Sequence, residues 1–348
     1  MHETDLSGVK PIIFSVAGTE LSAEEKSFFQ SEKPFGFILF ARSVDNPDQL
    51  RQLISDLRSC VERSDAPVLV DQEGGRVQRM RPPHWFQAPA LGKIGALYDI
   101  DPAISERAAV LATELIINDL KSVGFNVNCS PCLDLPRAET SNVIGDRALH
   151  QDNDVLVKLA ATIMDYYVEN GIMPVIKHIP GHGRGTVDSH HELPTVSATL
   201  EELKASDFKP FKSLSAAPWG MTAHIVFDQI DPDNPATQSQ KVIEEIIRGE
   251  IGFDGLLLSD DLNMNALKGS LRERAVRAFD AGIDILLHCS GKMDEMKDIA
   301  SAIPQMSEKV IYRVKQGAAQ LPDEDSIPVL NNISQKKDEL ASLLELLD

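Results

Sequence analysis

A closed (β/α)8 barrel, an α/β fold of the TIM type, is predicted by three features of this 348-residue sequence. Eight short apolar runs recur along the chain, amphipathic stretches separate most of them, and no G-x-G-x-x-G turn follows the first run. Strands buried on both faces read as unbroken apolar segments, whereas the helices covering them keep a polar face. A doubly wound open sheet is the rival arrangement, and the missing glycine-rich turn argues against it. The chain reads as a single domain over 1–348, with the barrel over about 10–302 and a helical C-terminal segment over about 303–348.

The predicted strands are PIIFSV (11–16), FGFILF (35–40), PVLVD (67–71), FNVNCSP (125–131), MPVIKH (173–178), GMTAHIVF (220–227), GLLLSDD (255–261) and IDILLHC (283–289). Helical patterns lie over 46–63, 103–123, 154–170, 200–215, 239–251 and 271–281. The helix after the first strand is predicted to start at Ser22, with Glu25 at capping-box spacing. Asn46 before Pro47 suits an N-cap followed by N1, and Gly124 and Gly282 suit C-terminal stops. Beyond about Ile303 no strand is predicted. A last helix over 334–347 carries a stripe of Leu340, Leu343, Leu344 and Leu347, expected to pack on the barrel rather than to form a dimer contact.

Composition excludes several classes of function. Lys and Arg total 34 against 53 Asp and Glu, a formal charge of −19, which argues against binding nucleic acid or an anionic membrane. No apolar stretch reaches the roughly 20 residues needed to span a bilayer. The N-terminus lacks the basic, apolar and small-residue order of a secretory signal, and the four cysteines fit a reducing cytoplasm. Cys129 and Cys132 form a lone C-x-x-C, read as structural thiols rather than a zinc or redox site.

Barrel enzymes carry their chemistry at the C-terminal ends of the strands. Those ends hold Asp71, Asp134, Lys177, His178, His224, Asp260 and His288, while the strand bodies are almost wholly apolar. The densest stretch is KHIPGHGRGTVDSHHELP (177–194), with four histidines and three glycines. Within it Asp188 and His190 are two apart, so an extended loop would put both on one side, the carboxylate orienting the imidazole. A histidine pKa of about 6.5 suits donating a proton and later withdrawing one. His191 competes for that role, but the Asp-x-His spacing favours His190. In LLLSDDLNM (256–264), adjacent Asp260 and Asp261 should face opposite ways on a strand. Asp260, at the tip of the apolar run, is the candidate nucleophile; Asp261 would orient the following turn. In DQEGGRVQR (71–79), Asp71 suits sugar hydroxyls and the arginine forks suit a polar ligand. Asp146 and Arg147 form an Asp-Arg pair on a loop, which read alone is as readily structural as ligand-binding.

Together these segments resemble glycoside hydrolase family 3, specifically its single-domain bacterial β-N-acetylglucosaminidases. The resemblance runs from GFILFAR (36–42) to SDDLNM (259–264) and is sharpest in DQEGGRVQR, VIGDRALH, KHIPGHG with VDSHHELP, and FDGLLLSDDL. It implies Asp260 as nucleophile and His190 as general acid/base, assisted by Asp188. It further implies sugar contacts from Asp71, Arg79, Arg147, Lys177 and His178, with no metal or cofactor. The Asp-Ser-His stretch marks the N-acetylglucosaminidase branch rather than the family's β-glucosidases. Ile179 stands where Phe is frequent, and Ala148-Leu149 stand where bulkier or polar residues often occur; neither is a catalytic position. The absence of a long C-terminal extension resembles the compact Gram-negative form. The implied substrate is a small carbohydrate, a GlcNAc-containing muropeptide from cell-wall recycling or an oligosaccharide, handled by a cytoplasmic monomer through a retaining mechanism.

Two other readings remain open on the sequence. One is a metal-dependent barrel hydrolase with His178, His182, His190 and Asp188 as ligands, although no close-ligand framework such as H-E-x-x-H is present. The other is a sugar-binding protein without turnover.

Overall fold

The computed structural model describes residues 5–137, 144–185 and 193–347. Eight parallel strands close into a barrel and are numbered in chain order. They are β1 (Lys10–Phe14), β2 (Pro34–Leu39), β3 (Val68–Val70), β4 (Val127–Asn128), β5 (Met173–Ile179), β6 (Trp219–Thr222), β7 (Leu256–Asp261) and β8 (Ile285–His288). Each pairs with its successor, and β8 closes on β1 with Ile13 opposite Leu287. The strand period of two sorts the apolar side chains into two buried layers. Ile13, Leu69, Val175, Leu258 and Ile285 belong to the cluster that fills the barrel. Ile12, Val68, Ile176, Leu257 and Leu286 belong to the one between the strands and the surrounding helices. Alternate residues of each run thus serve different cores, which is why the runs carry so few polar positions.

The helix signals hold where they are local. Ser22 and Glu25 form both bonds of a capping box at the start of Ala23–Glu32, and Asn46 accepts from the N–H groups of Asp48 and Gln49 ahead of Pro47–Cys60. Gly124 and Gly282 close their helices at φ +98° and +111°, the left-handed region glycine enters freely.

Three predicted elements differ. The 200–215 pattern breaks into Leu200–Ala205 and Lys209–Ser213. Pro210 brings no N–H and would clash with the carbonyl four residues back, so it sits in the first turn of a new helix instead. The GMTAHIVF run divides: Trp219–Thr222 joins the barrel, while Val226–Phe227 pairs with Thr195–Val196 outside it. The 239–251 pattern is helical, but over Val242–Glu250 it winds with wide, i to i+5 turns, the Ile251 N–H reaching the Ile246 carbonyl at 2.8 Å.

In the C-terminal segment, Ile333–Leu344 packs on the long helix Pro102–Val123. Leu340 is buried and Leu343, Leu344 and Leu347 are partly so. Arg107–Glu339 at 2.7 Å and Lys336–Glu114 at 2.9 Å join the two helices. The leucine stripe therefore packs within the chain.

A short helix, Leu91–Ala96, seats the turn that carries Arg147. A Cβ on Gly95 would stand 1.5 Å from the Leu149 carbonyl oxygen, so backbone rests directly on backbone there. Gly95→Ala is expected to cost roughly 1–3 kcal/mol by overpacking and to weaken sugar binding by displacing Arg147. Thermal unfolding and KM measure the two effects; unchanged melting would show that the turn moves freely.

Candidate active site

At the C-terminal ends of the strands lies a cavity of about 410 Å³. Asp71, Arg79, Arg147, Lys177, His178 and Asp260 all border it, together with an apolar wall that includes Ile38, Phe40, Met221 and Leu287. The six predicted site residues that fall among the described ones are thus brought to one place. Asp188 and His190 lie outside the described residues.

Charge pairing organises the floor. Lys177 reaches in from β5, its side chain 3% exposed, and its Nζ lies 2.8 Å from Asp71 and 2.6 Å from Glu73. Arg79 meets the other oxygen of Asp71 at 3.0 Å and lies over the Phe40 ring at 5.2 Å. Arg147 grips Glu73 with two bonds, 3.0 and 2.8 Å. Burial opposes ionising these acids, yet Lys177 and Arg79 hold Asp71 well below the usual carboxylate range, and Arg147 and Lys177 hold Glu73 at about 2. The same carboxylates overcome burial to hold Lys177 and Arg147 above their ordinary values. Both acids, Lys177 and Arg147 are therefore charged at neutral pH. Their forked and point donors are fixed before any ligand arrives, which is the preorganisation that makes electrostatics effective in a closed site.

Asp260 and Asp261 end β7. Asp260 Oδ1 accepts from the Asp261 backbone N–H at 2.8 Å. Asp261 also borders the cavity, but its Oδ1 accepts from the N–H groups of Asn263 at 3.0 Å and Cys289 at 3.1 Å. It ties the turn after β7 to the end of β8, yet both aspartates border the one cavity, so they are not divided between opposite faces as strand alternation predicts. Burial, with the charge of Asp260 adding to it, pushes the Asp261 carboxyl up to about 6 from 3.8. A raised carboxyl destabilises the folded state once it ionises, so this cost vanishes below pH about 4 and is complete above about 6. Asp261→Asn keeps an oxygen for the same N–H bonds. It is expected to be more stable than the parent at about pH 7.5 and to lose that advantage near pH 4, read by urea unfolding at both. An equal effect at the two pH values would contradict the assignment.

The chain matches the Glycosyl hydrolase family 3 N terminal domain over residues 10–317. The chain belongs to glycosyl hydrolase family 3. Among its relatives, the Beta-hexosaminidase of Alkalilimnicola ehrlichii is 39% identical over 284 residues, covering 80% of each chain. The Beta-hexosaminidase of Bordetella avium is 33% identical over 323 residues, covering 91% of each. The solved structure of NagZ from Neisseria gonorrhoeae in complex with N-trifluoroacetyl-D-glucosamine is similar throughout. It superposes with a TM-score of 0.86 at 30% identity, covering 97% of this chain and 98% of that one. This family-3 chain is a glycoside hydrolase.

Several site features of this glycoside hydrolase were not read from its sequence. Asp146 and Arg147 are not a pair: Asp146 meets Arg76 at 3.0 Å, while Arg147 turns inward to Glu73. Glu73 was overlooked, although it stands two residues from Asp71, the spacing that shares a face on an extended segment. Asp134, noted only as a strand-end acid, receives His178 Nδ1 at 2.6 Å and the His182 backbone N–H at 2.6 Å. His224 is tied to Thr237 and to the Asp261 carbonyl, and His288 to Ser290. Cys132, Asp134 and His178 place one donor atom each within 4.8 Å of one another. Burial and the adjacent Asp134 push the Cys132 thiol well above its ordinary value, so it donates to that carboxylate at 3.4 Å instead of offering a thiolate. Burial likewise raises Cys129, in keeping with structural thiols.

Proposed function

We propose that this glycoside hydrolase is a retaining exo-β-N-acetylglucosaminidase. It removes terminal, non-reducing β-linked N-acetylglucosamine, with GlcNAc-containing muropeptides of cytoplasmic peptidoglycan recycling as the substrate class. The observation that carries the reading is the cavity itself: Asp260, at the end of β7, borders the same space as Asp71, Asp261 and the cations Lys177, Arg79 and Arg147, which are held in place by Asp71 and Glu73. The names of the relatives and the N-acyl glucosamine bound to the NagZ of Neisseria gonorrhoeae support the sugar.

The reaction proceeds in two displacements. An Asp260 carboxylate oxygen attacks the anomeric carbon while His190, held by Asp188, gives its proton to the leaving oxygen and the glycosidic bond breaks. Water then attacks the glycosyl-enzyme as His190 takes up a proton, and Asp260 is released as a carboxylate. Asp71, Arg79, Arg147, Lys177 and His178 hold the sugar hydroxyls. With its Oδ1 engaged by two backbone N–H groups, Asp261 is poorly placed to hold a 2-acetamido group, which favours the covalent route over a substrate-assisted one. We read the chain as one catalytic domain, barrel plus C-terminal helices, acting as a monomer without a metal or cofactor.

The test is product release from an aryl N-acetyl-β-glucosaminide beside the matching aryl β-glucoside, both with chelator present. Turnover confined to the acetamido sugar is expected. Activity that disappears with chelator and returns with added metal would replace this reading by a metal-dependent one.

A further inference from the structure

Asp134 takes no part in the reaction as described, yet it is bonded on both oxygens beneath the cavity. It follows β4 and is fully buried. His178 Nδ1 lies 2.6 Å from its Oδ2, the His182 backbone N–H donates to its Oδ1 at 2.6 Å, and the His178 backbone N–H approaches Oδ2 at 3.3 Å. Burial opposes its charge, but His178 and His182 hold its carboxyl well below the usual range. An ionised carboxylate can only accept, so the short contact fixes the direction of the bond: Nδ1 carries the proton. In the neutral ring this leaves Nε2, on the opposite edge, as a lone-pair acceptor, and His178 borders the cavity. The neighbouring side chains Arg79, Arg147 and Lys177 can only donate.

We propose that Asp134 is a positioning residue that locks His178 in its Nδ1-protonated tautomer, so that Nε2 accepts a hydrogen bond from one substrate hydroxyl. The sugar hydroxyl rests on the functional reading above; the tautomer does not. The geometry gives the site an imidazole acceptor of fixed direction beside the carboxylates Asp71, Asp260 and Asp261. A sugar lacking that hydroxyl leaves Nε2 without its partner, and rejection of such analogues is stronger than a lost contact alone would produce.

Asp134→Asn reverses the ring. Its amide oxygen stays with the His182 N–H, its amide nitrogen donates to Nδ1, and the proton moves to Nε2, which becomes a donor. Aryl N-acetyl-β-glucosaminides lacking the 3-, 4- or 6-hydroxyl read the change. In the parent protein one of the three deletions is expected to lower kcat/KM at least tenfold. In Asp134→Asn the same deletion should cost less than threefold, while kcat/KM on the intact sugar falls about 10- to 100-fold, the scale seen for carboxylates that orient a metal-binding histidine. A folded Asp134→Asn that keeps the full hydroxyl penalty overturns the proposal.

Nitrogen NMR of the unsubstituted protein near pH 8 decides the tautomer independently of whether the variant folds. The His178 signals, identified by their loss in His178→Gln, should show a protonated Nδ1 and a bare Nε2. The opposite pattern overturns the proposal. No turnover of any N-acetylglucosaminide by the unsubstituted protein would sink the functional reading and leave the NMR result standing.

Discussion

Replacing Asp260 by alanine is expected to lower kcat on an aryl N-acetyl-β-glucosaminide by on the order of 10⁴-fold or more, the scale seen when a covalent nucleophile is removed. Melting should be unchanged or slightly raised. The side chain sits at a strand end on a cavity wall, and its charge is one of the causes pushing the Asp261 carboxyl up. Removing it relieves that repulsion and leaves no apolar void in either core layer. The vacated space admits a small anion, and azide should attack the anomeric carbon from the face Asp260 occupied. With an activated aryl leaving group, Asp260→Ala plus azide is expected to recover turnover and to yield a glycosyl azide of inverted configuration. Parent-like hydrolysis by Asp260→Ala without azide would sink the nucleophile assignment, whatever its melting temperature.

What could be read from the sequence follows the range of the interaction that writes it. Capping boxes, glycine stops and the apolar runs are fixed by residues within a few positions of one another, and Ser22–Glu25, Gly124 and Gly282 stand where their local chemistry puts them. Asp260 was legible for the same reason, as the first acid after an unbroken apolar strand. Glu73 was not, because its meaning lies in Arg147 and Lys177, 74 residues away from it in one case and on another strand in the other. Asp134 likewise gains its role only from His178, 44 residues on. The sixth apolar run failed as a single strand through the same blindness: Thr195 and Val196, its partners outside the barrel, leave no mark within the run. Pro210 is the opposite case. Its break of the 200–215 helix is a local signal, since the ring fits the first turn of a helix and not the interior. The Asp188–His190 spacing rests on sequence and resemblance, and it is the kinetic behaviour of those side chains that tests it.

The second large effect is expected at Lys177, where stability and sugar binding share one side chain. Lys177→Met keeps the length of the side chain but leaves the partly buried Asp71 with Arg79 and the buried Glu73 with Arg147, each carboxylate short of a cation. Breaking a buried pair by removing one partner costs roughly 3–5 kcal/mol, because the charge left behind stays desolvated. The pH dependence separates this cause from lost packing. Asp71 and Glu73 have folded pKa values below their ordinary 3.8 and 4.5. Their contribution is therefore fully present above about pH 5 and is lost as the pH falls through the folded values. Lys177 is held above its ordinary 10.5, so its own share persists below that pH and fades only above it. The gap in unfolding free energy between parent and Lys177→Met should thus keep its size from pH 7 to about pH 5 and narrow as the pH falls from about 4 towards 2, measured in urea at each. A gap of constant size would mean that Lys177 acts by filling space. Adding Asp71→Asn should recover part of the loss at pH 7, since it removes a carboxylate the lysine was neutralising, yet catalysis should stay impaired. Stability can be regained by deleting the charge, but a sugar hydroxyl still needs the fixed donor and acceptor that the pair supplied.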